Sequence, residues 1–195
     1  LWNDGTDCMF VDSAMPELFK PNGDYPKWSS LRYGIDFINM ISKLYTDYIP
    51  KYIGSDKEIQ ILMPMNVGEL GTIKVNQVIQ GLVNPYDKDK KEIRIKERIF
   101  RDGDCVIQTK NNYDLEVFNG DIGKVIEISG GEKMEMTVKF SDSREVIYAK
   151  SDIFELDLAY AISIHKSQGS EFDCVILPLM KAHYRMLYKQ LIYTG

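Results

Sequence analysis

The sequence is poor in the residues that build metal centres and disulfide frameworks. Its 195 residues include only three cysteines and two histidines. The cysteines Cys8, Cys105 and Cys174 are far apart, no CxxC pair occurs, and neither histidine is close to a cysteine in the sequence. This pattern argues against a structural zinc site and against a disulfide framework, and it favours free thiols in a reducing cytoplasm.

Long apolar runs are also absent. No segment approaches the roughly 20 apolar residues that cross a bilayer, so no membrane association is predicted. The start at Leu1 has no initiator methionine and no basic region ahead of an apolar stretch, which is unlike a signal peptide. We therefore expect a cytoplasmic chain that is a piece of a longer protein.

An excess of positive charge is missing as well, because the net charge is -5. Overall acidity does not favour nucleic-acid binding. Residues 88–101 are locally basic, with seven basic and three acidic side chains. That run is compatible with a solvated linker or edge strand and with a phosphate contact, and a solvated surface is the commoner outcome.

The first half of the chain reads as alternating strands and helices. Residues 8–12 and 59–63 are short apolar runs typical of buried strands, and the second is followed by Pro64. Apolar residues three and four apart predict a helix from Tyr33 to Ile49. Thr72 is a candidate cap for a further helix. Its predicted inward residues are Ile73, Val75, Val78, Ile79 and Leu82. This alternation predicts a parallel sheet covered by helices.

Short strands and tight turns replace this rhythm between residues 99 and 154. Alternation of apolar and polar residues from Met134 to Phe140 indicates a half-buried strand. About five strands in so short a stretch predict a small SH3-like or OB-like barrel. Beyond it the α/β pattern resumes. The predicted elements there are a helix at 159–168, with a strand start at 156–158 as an alternative, a strand at 174–179 and a helix at 184–193.

A polar cluster between two apolar segments, residues 165–171, is the strongest candidate for chemistry. Polar turns at element ends of α/β sheets are where ligands bind. Ser163, His165 and Lys166 can donate to phosphate oxygens, Gly169 permits close backbone approach, and Glu171 can accept from a ribose hydroxyl. The alternative is a solvated helix end with a glycine cap.

Asn111-Asn112-Tyr113 also admits two interpretations. The asparagines are a turn signal, and the tyrosine after them could stack on a nucleobase. We favour an architectural turn whose tyrosine packs on the protein.

Four segments together resemble, in order, motifs of the RecD-like superfamily-one DNA helicases, the family of the exodeoxyribonuclease V alpha subunit. Residues 159–172, Ala-Tyr-Ala-Ile-Ser-Ile-His-Lys-Ser-Gln-Gly-Ser-Glu-Phe, resemble motif V nearly letter for letter. Residues 61–65 resemble motif IV, residues 100–123 the barrel of the second motor lobe, and residues 191–195 the opening of motif VI. The resemblance covers the chain from about residue 59 to its end, and residues 8–54 loosely by position.

This resemblance implies a fold and a domain division. The expected fold is α/β, with a RecA-like parallel-sheet lobe of the P-loop NTPase type and an inserted SH3-like barrel. The lobe would comprise residues 1–92 and 153–195, and the barrel residues 93–152.

The resemblance also implies the roles of individual residues. The implied contacts to the DNA backbone come from Ser163, His165, Lys166 and Pro64. The implied nucleotide-binding residues are Gln168, Gly169 and Glu171. Two departures bear on these roles. Asn66 and Val67 stand where many relatives carry a basic residue, and the chain stops before the motif VI arginine.

The implied activity is ATP- and Mg²⁺-dependent translocation along single-stranded DNA, 5′ to 3′. The partners would be single-stranded DNA, the N-terminal motor lobe of the same protein and, where the parent acts in a nuclease complex, its other subunits. No Gly-x-x-x-x-Gly-Lys-[Ser/Thr] occurs, so we expect the isolated chain to be inactive, with no bound cofactor and no complete catalytic set. The alternatives are a non-catalytic nucleic-acid-binding module centred on the barrel, and an RNA helicase.

Overall fold

A computed structural model describes residues 2–3, 6–9, 30–68, 71–130 and 134–178 of the chain. Its first elements are a short antiparallel pair, β1 (Trp2–Asn3) and β2 (Thr6–Met9). The predicted strand at 8–12 thus begins earlier, and its end lies outside the described residues. The predicted helix at 184–193 and the motif VI segment also lie outside them.

The predicted helix at 33–49 is confirmed, although it is not one uniform α-helix. It consists of α1 (Ser30–Lys43), a π-helical turn (Leu44–Tyr48) and α2 (Ile49–Ile53). Pro50 lies in the first turn of α2, where its missing N–H is tolerated. The segment ends at Gly54, whose φ of 103° favours glycine.

A three-stranded parallel sheet forms the centre of the α/β part, in the order β11, β3, β12. The strands are β3 (Ile59–Met63), β11 (Ala161–Ser163) and β12 (Cys174–Ile176). Ala161 lies opposite Ile61, and Ser163 lies opposite Met63. Because the strands are parallel, the segments that follow β3 and β11 leave the sheet at the same edge.

The predicted helix at 159–168 is wrong. Residues 161–163 form β11, and residues 164–167 form a single 3₁₀ turn. All of residues 158–164 are buried. A short run that is buried on both faces has no period that separates strand from helix, and pairing with β3 decides the outcome. The alternative strand at 156–158 is confirmed as β10 (Leu156–Leu158).

Helix α3 (Thr72–Val83) is confirmed, but its cap and its buried face differ from the prediction. Gly71 occupies the N-cap position without a side-chain cap bond, and Thr72 is the first helical residue. The Thr72 hydroxyl donates instead to Asn66 Oδ1 at 3.2 Å. Ile73 and Leu82, both predicted to be buried, are more than half exposed. Val75 and Ile79 are buried as expected, and Val78 is half-buried against the core. Polar side chains share the inner face with them.

The middle of the chain forms a five-stranded antiparallel sheet in the order β10, β6, β7, β8, β9. A hairpin of β4 and β5 precedes it. The strands are β4 (Glu92–Ile95), β5 (Arg98–Arg101), β6 (Cys105–Gln108), β7 (Ile122–Ser129), β8 (Glu135–Phe140) and β9 (Glu145–Ala149). The predicted alternation on β8 is confirmed, because Met136, Val138 and Phe140 are all buried. Since β10 pairs with β6, this sheet extends to Leu158.

The two sheets correspond to the two sequence patterns, the alternation of strands with helices and the run of short strands. Within the described ranges, no strand from β4 to β9 pairs with the parallel sheet. The antiparallel sheet lies between β3 and β11 in the chain, so it interrupts the α/β unit, as predicted. The division at residues 92 and 153 stays a prediction. None of the helices in the described part of the chain is long and apolar enough to cross a bilayer.

Gly123 in β7 offers a direct test of barrel packing. A Cβ atom there would lie 2.7 Å from Val138 Cγ1 and 2.8 Å from the Lys139 carbonyl oxygen. Because backbone cannot yield as a side chain can, we expect Gly123→Ala to lower the free energy of unfolding by about 1–3 kcal/mol. Urea denaturation measures this loss.

Gly81 provides the matched control. It lies in α3, and a Cβ there would meet nothing within 4 Å. Removing a glycine from an open helical position stabilises by about 0.5–1 kcal/mol, so Gly81→Ala should raise the free energy of unfolding. A stable Gly123→Ala protein would show that β7 and β8 are less closely packed than described.

Candidate nucleic-acid and nucleotide site

The site begins where two parallel strands end together. Met63 ends β3, Ser163 ends β11, and these residues are direct register partners. The segments that follow therefore lie side by side. They enclose a cleft of about 430 Å³, which we call the strand-end cleft. Its lining residues are Pro64, Met65, Asn66, Val67, Ser163 and His165.

A second cleft of about 430 Å³ lies between the barrel and the segment after β11. We call it the barrel cleft. One wall comes from the turn before β7 and the other from the 3₁₀ turn and the loop beyond it. The lining residues are Asn119, Gly120, Asp121, His165, Lys166, Gln168, Gly169 and Ser170. His165 lines both clefts.

Most of the predicted site residues lie on these two clefts. Three of the four predicted DNA contacts line the strand-end cleft: Pro64, Ser163 and His165. The fourth, Lys166, lines the barrel cleft together with the predicted nucleotide residues Gln168 and Gly169. Glu171 is exposed and lines neither cleft. Because the predicted helix at 159–168 is instead β11 and a 3₁₀ turn, these residues follow the end of a parallel strand.

Local hydrogen bonds shape the segment that carries these residues. The buried Ser167 hydroxyl donates to the Ile164 carbonyl at 2.9 Å, and the Ser170 N–H donates to the Ser167 carbonyl at 3.0 Å. Gly169 has a φ of 88°, a conformation that favours glycine. The segment thus anchors Ile164 in the core while His165 points to the surface, where it is exposed.

Sequence reasoning missed the barrel side of the second cleft. The backbone of Gln108 holds this wall, since its N–H donates to the Asp121 carbonyl and its carbonyl accepts from the Gly120 N–H, each at 2.9 Å. The only sequence signal was an Asn-Gly-Asp turn, which does not show that this turn meets a segment more than 40 residues later.

Charge in the barrel cleft is nearly balanced. Asp121 forms an ion pair with Arg144 at 3.1 Å. Hydrogen bonds to Asp142 and Asp121 raise the pKa of the Arg144 guanidinium above its ordinary value. Arg144 contacts both Asp121 and Asp142, so Lys166 on the opposite wall supplies the second positive charge that balances these two carboxylates.

The Asn-Asn-Tyr segment is an architectural turn, as we favoured. The Asn112 side chain donates to Glu155 Oε2 at 3.1 Å and accepts from the Leu115 N–H at 3.1 Å. Tyr113, however, does not pack into the protein. It is 75 % exposed and meets the edge of Phe118, with ring centroids 6.2 Å apart.

A metal site was not predicted for this chain. Nowhere in the described part of the chain do three or more His, Cys, Asp or Glu side chains gather in a way that could hold an ion.

Two family models match the chain. Residues 75–140 match the model of the SH3 domain of ATP-dependent RecD-like DNA helicases, and residues 158–195 match the UvrD-like helicase C-terminal domain. The first match covers all but the first three residues of α3 and the strands from β4 to β8. The second begins at the end of β10 and includes the whole predicted site segment. The predicted fold class, a parallel α/β lobe of the RecA-like type with an SH3-like barrel, is confirmed.

Curated relatives agree with these matches. The chain is 35% identical over 175 residues to the ATP-dependent RecD2 DNA helicase of Deinococcus radiodurans, covering 89% of this chain. It is 26% identical to the RecBCD enzyme subunit RecD of Buchnera aphidicola, covering 75% of this chain. It spans 24% of the length of each of these relatives.

Among solved structures, a Pif1 helicase from Bacteroides in complex with ADP-AlF3 and single-stranded DNA is similar at 18% identity and a TM-score of 0.49. That likeness covers 78% of this chain and 42% of the Pif1 chain. The two matched models and the curated relatives identify the family, and the chain belongs to the RecD-like superfamily-one DNA helicases.

Proposed function

We propose that the full-length protein is an ATP-dependent DNA helicase and that this chain supplies its second motor lobe and barrel. The observation that carries the proposal is the segment 163–170, which follows β11 and borders two clefts at once. A segment of this kind can contact the strand and respond to the nucleotide. Hydrolysis could then change the grip on DNA, because the two ligands would be coupled through one element.

The proposed DNA contacts are Pro64, Ser163, His165 and Lys166. Phosphate contacts need donors or cations at the surface. Lys166 and exposed His165 provide these, whereas Ser163 and Pro64 shape the floor of the strand-end cleft. The strand would be single-stranded DNA, followed 5′ to 3′.

The proposed nucleotide contacts are Gln168, Gly169 and Glu171. The side-chain amide of Gln168 and the open backbone at Gly169 suit hydrogen bonds to ATP, and the Glu171 carboxylate suits a ribose hydroxyl. When bound, ATP with Mg²⁺ supplies the energy of phosphoryl transfer. The phosphate cradle and the metal ligands would come from the N-terminal motor lobe of the same protein.

Further partners and location follow from the proposed function. One relative is a subunit of the RecBCD enzyme, so we include the subunits of a nuclease complex among the candidate partners. We propose a cytoplasmic location as well, which suits a protein that would act on DNA in a cell of the kind its RecD relatives come from.

A second candidate function is nucleic-acid binding by the barrel alone. It is favoured by the exposed ring pair Tyr113 and Phe118, since exposed aromatic rings can stack on nucleobases. Two acidic residues on the same loop, Asp114 and Glu116, oppose it by repelling phosphates.

Single substitutions in the full-length protein separate these functions. We expect His165→Ala to weaken single-stranded DNA binding about tenfold, the effect of one charge-assisted hydrogen bond, and to leave ATP affinity nearly unchanged. Glu171→Ala should weaken ATP binding more than DNA binding. Fluorescence anisotropy with labelled oligonucleotide and with labelled nucleotide measures both affinities.

The cationic contact is tested by comparing two lysines, one on a cleft and one away from both clefts. Lys166→Ala should weaken DNA binding, whereas Lys150→Ala, at an exposed turn away from both clefts, should not. If Tyr113→Ala abolishes binding and His165→Ala has no effect, the barrel-centred module is correct. Equal losses of both affinities with a lower melting temperature for His165→Ala would assign that residue a structural role.

A further inference from the structure

Helix α3 carries a row of three buried amide side chains where an amphipathic helix would carry apolar ones. Asn76, Gln80 and Asn84 are only 4–6 % exposed. Their four-residue spacing places them along one face of the helix and its C-cap. We call them the amide row. Buried amides are costly unless they are fully hydrogen-bonded, so their partners indicate what the row holds.

The C-terminal end of the row holds a buried carboxylate of the barrel. Asp104, in the turn between β5 and β6, is 0 % exposed. It accepts from Gln80 Nε2 at 2.6 Å and from Asn84 Nδ2 at 2.7 Å. The backbone N–H of Arg101 donates to it at 2.7 Å. The two amide donors link the base of the barrel to the helix of the α/β part, and the Arg101 N–H closes the turn that carries Asp104.

The N-terminal end of the row holds the link between the two sheets. Residues 159–160 connect β10 of the barrel sheet to β11 of the parallel sheet. Asn76 Nδ2 donates to the Ala161 carbonyl at 2.8 Å and to the Leu158 carbonyl at 3.0 Å, and Asn76 Oδ1 accepts from the Ala161 N–H at 2.7 Å. One side chain thus clamps both ends of the link.

Tyr160 joins the two ends of the row. Its hydroxyl donates to Asp104 Oδ1 at 2.8 Å. Its carbonyl accepts from the Ile61 N–H at 3.3 Å and from Gln60 Nε2 at 3.2 Å. A single buried residue thus contacts the barrel base and the central strand β3, and it lies three residues before Ser163, where the site segment starts.

We propose that the amide row, Asp104 and Tyr160 form a positioning junction that holds the segment 163–170 in register with the barrel turn 119–121. The two walls of the barrel cleft belong to different sheets, and this junction connects those sheets through side chains. The inference rests on the proposed function, because it assigns the junction a role in DNA-dependent turnover. None of its members lines either cleft, so they act by positioning.

Two buried tyrosines allow a matched test in the full-length protein. Tyr160→Phe removes the hydroxyl that donates to Asp104. Tyr148→Phe removes a hydroxyl that donates to Gln108 Oε1 at 2.9 Å, inside the barrel. Both residues are buried, and each loses one side-chain hydrogen bond. Their melting temperatures should therefore fall by similar amounts.

The readout is ATP hydrolysis titrated with single-stranded DNA. We expect the DNA concentration for half-maximal stimulation to rise roughly fivefold in Tyr160→Phe, the equivalent of about one lost hydrogen bond. It should stay at the wild-type value in Tyr148→Phe, and DNA-independent hydrolysis should be unchanged in both. An equal rise in both variants, or no rise in Tyr160→Phe, would overturn the junction.

The same titration distinguishes a failure of the junction from a failure of the proposed function. A wild-type protein whose hydrolysis does not respond to DNA would overturn the proposed function and the junction together. A responsive wild-type protein with indistinguishable variants would overturn the junction alone.

Discussion

Replacing Asp104 with alanine is expected to lower the free energy of unfolding by about 3–5 kcal/mol. The substitution removes the acceptor of four donors, from Gln80, Asn84, Arg101 and Tyr160. Each buried donor left without a partner costs about 1–3 kcal/mol, and water entering the vacated space would recover part of that cost. Urea denaturation with an unchanged m-value would measure the loss.

The control for this change is Asp114→Ala. Asp114 lies in the exposed loop between β6 and β7, so its removal should leave the denaturation midpoint where it is. A loss below about 1 kcal/mol for Asp104→Ala, the ordinary level for a single mutation, would mean that the four donors find other acceptors. The carboxylate would then not organise this region.

Elements with a clear local signal could be predicted from the sequence. On β8, strict alternation from Met136 to Phe140 separates a buried face from a more exposed one. β3 is buried on both faces and has no such period, but its short length and the Pro64 after it were enough to identify it as a strand. The fold class followed from the order of such elements and from the resemblance of whole motifs.

Elements whose partners are distant in sequence could not be predicted in this way. β11 was taken for a helix because its three buried residues have no period, and its pairing with β3 spans about 100 residues. Helix α3 was oriented by its apolar residues, yet Asn76 and Gln80 are buried while Ile73 and Leu82 are exposed. The amide side chains are buried because the link between β10 and β11 and the Asp104 region supply their hydrogen-bond partners. Those partners lie 19 to 85 residues away in the sequence.

The candidate site likewise has one part that local sequence identifies and one part that it does not. Ser163 and His165 were identified from a local motif, and the structure places both on the strand-end cleft. The turn 119–121 was identified only as part of the barrel. Its position opposite Lys166 depends on how two sheets are joined, which no local window of sequence contains.

We expect the 195-residue chain alone to hydrolyse no ATP, with or without single-stranded DNA. ATP hydrolysis needs backbone N–H groups that cradle phosphates, usually at the start of a helix, and oxygen ligands for Mg²⁺. The sequence has no phosphate-loop motif. Its nearest likeness, Gly120 to Lys124, ends in β7, where Gly123 and Lys124 lie opposite Phe140 and Lys139. Strand residues of this kind are engaged in sheet pairing and cannot wrap a phosphate.

Phosphate release in the presence of Mg²⁺ measures this prediction, with the full-length protein as the positive control. The full-length protein should turn over ATP and should do so faster with single-stranded DNA. ATP hydrolysis that co-purifies with the isolated chain and disappears in Glu171→Ala would contradict this prediction. It would place a complete catalytic set within these residues. Turnover unaffected by Glu171→Ala would instead indicate a contaminant, because a nucleotide held by this chain's proposed contacts must respond to the loss of that carboxylate.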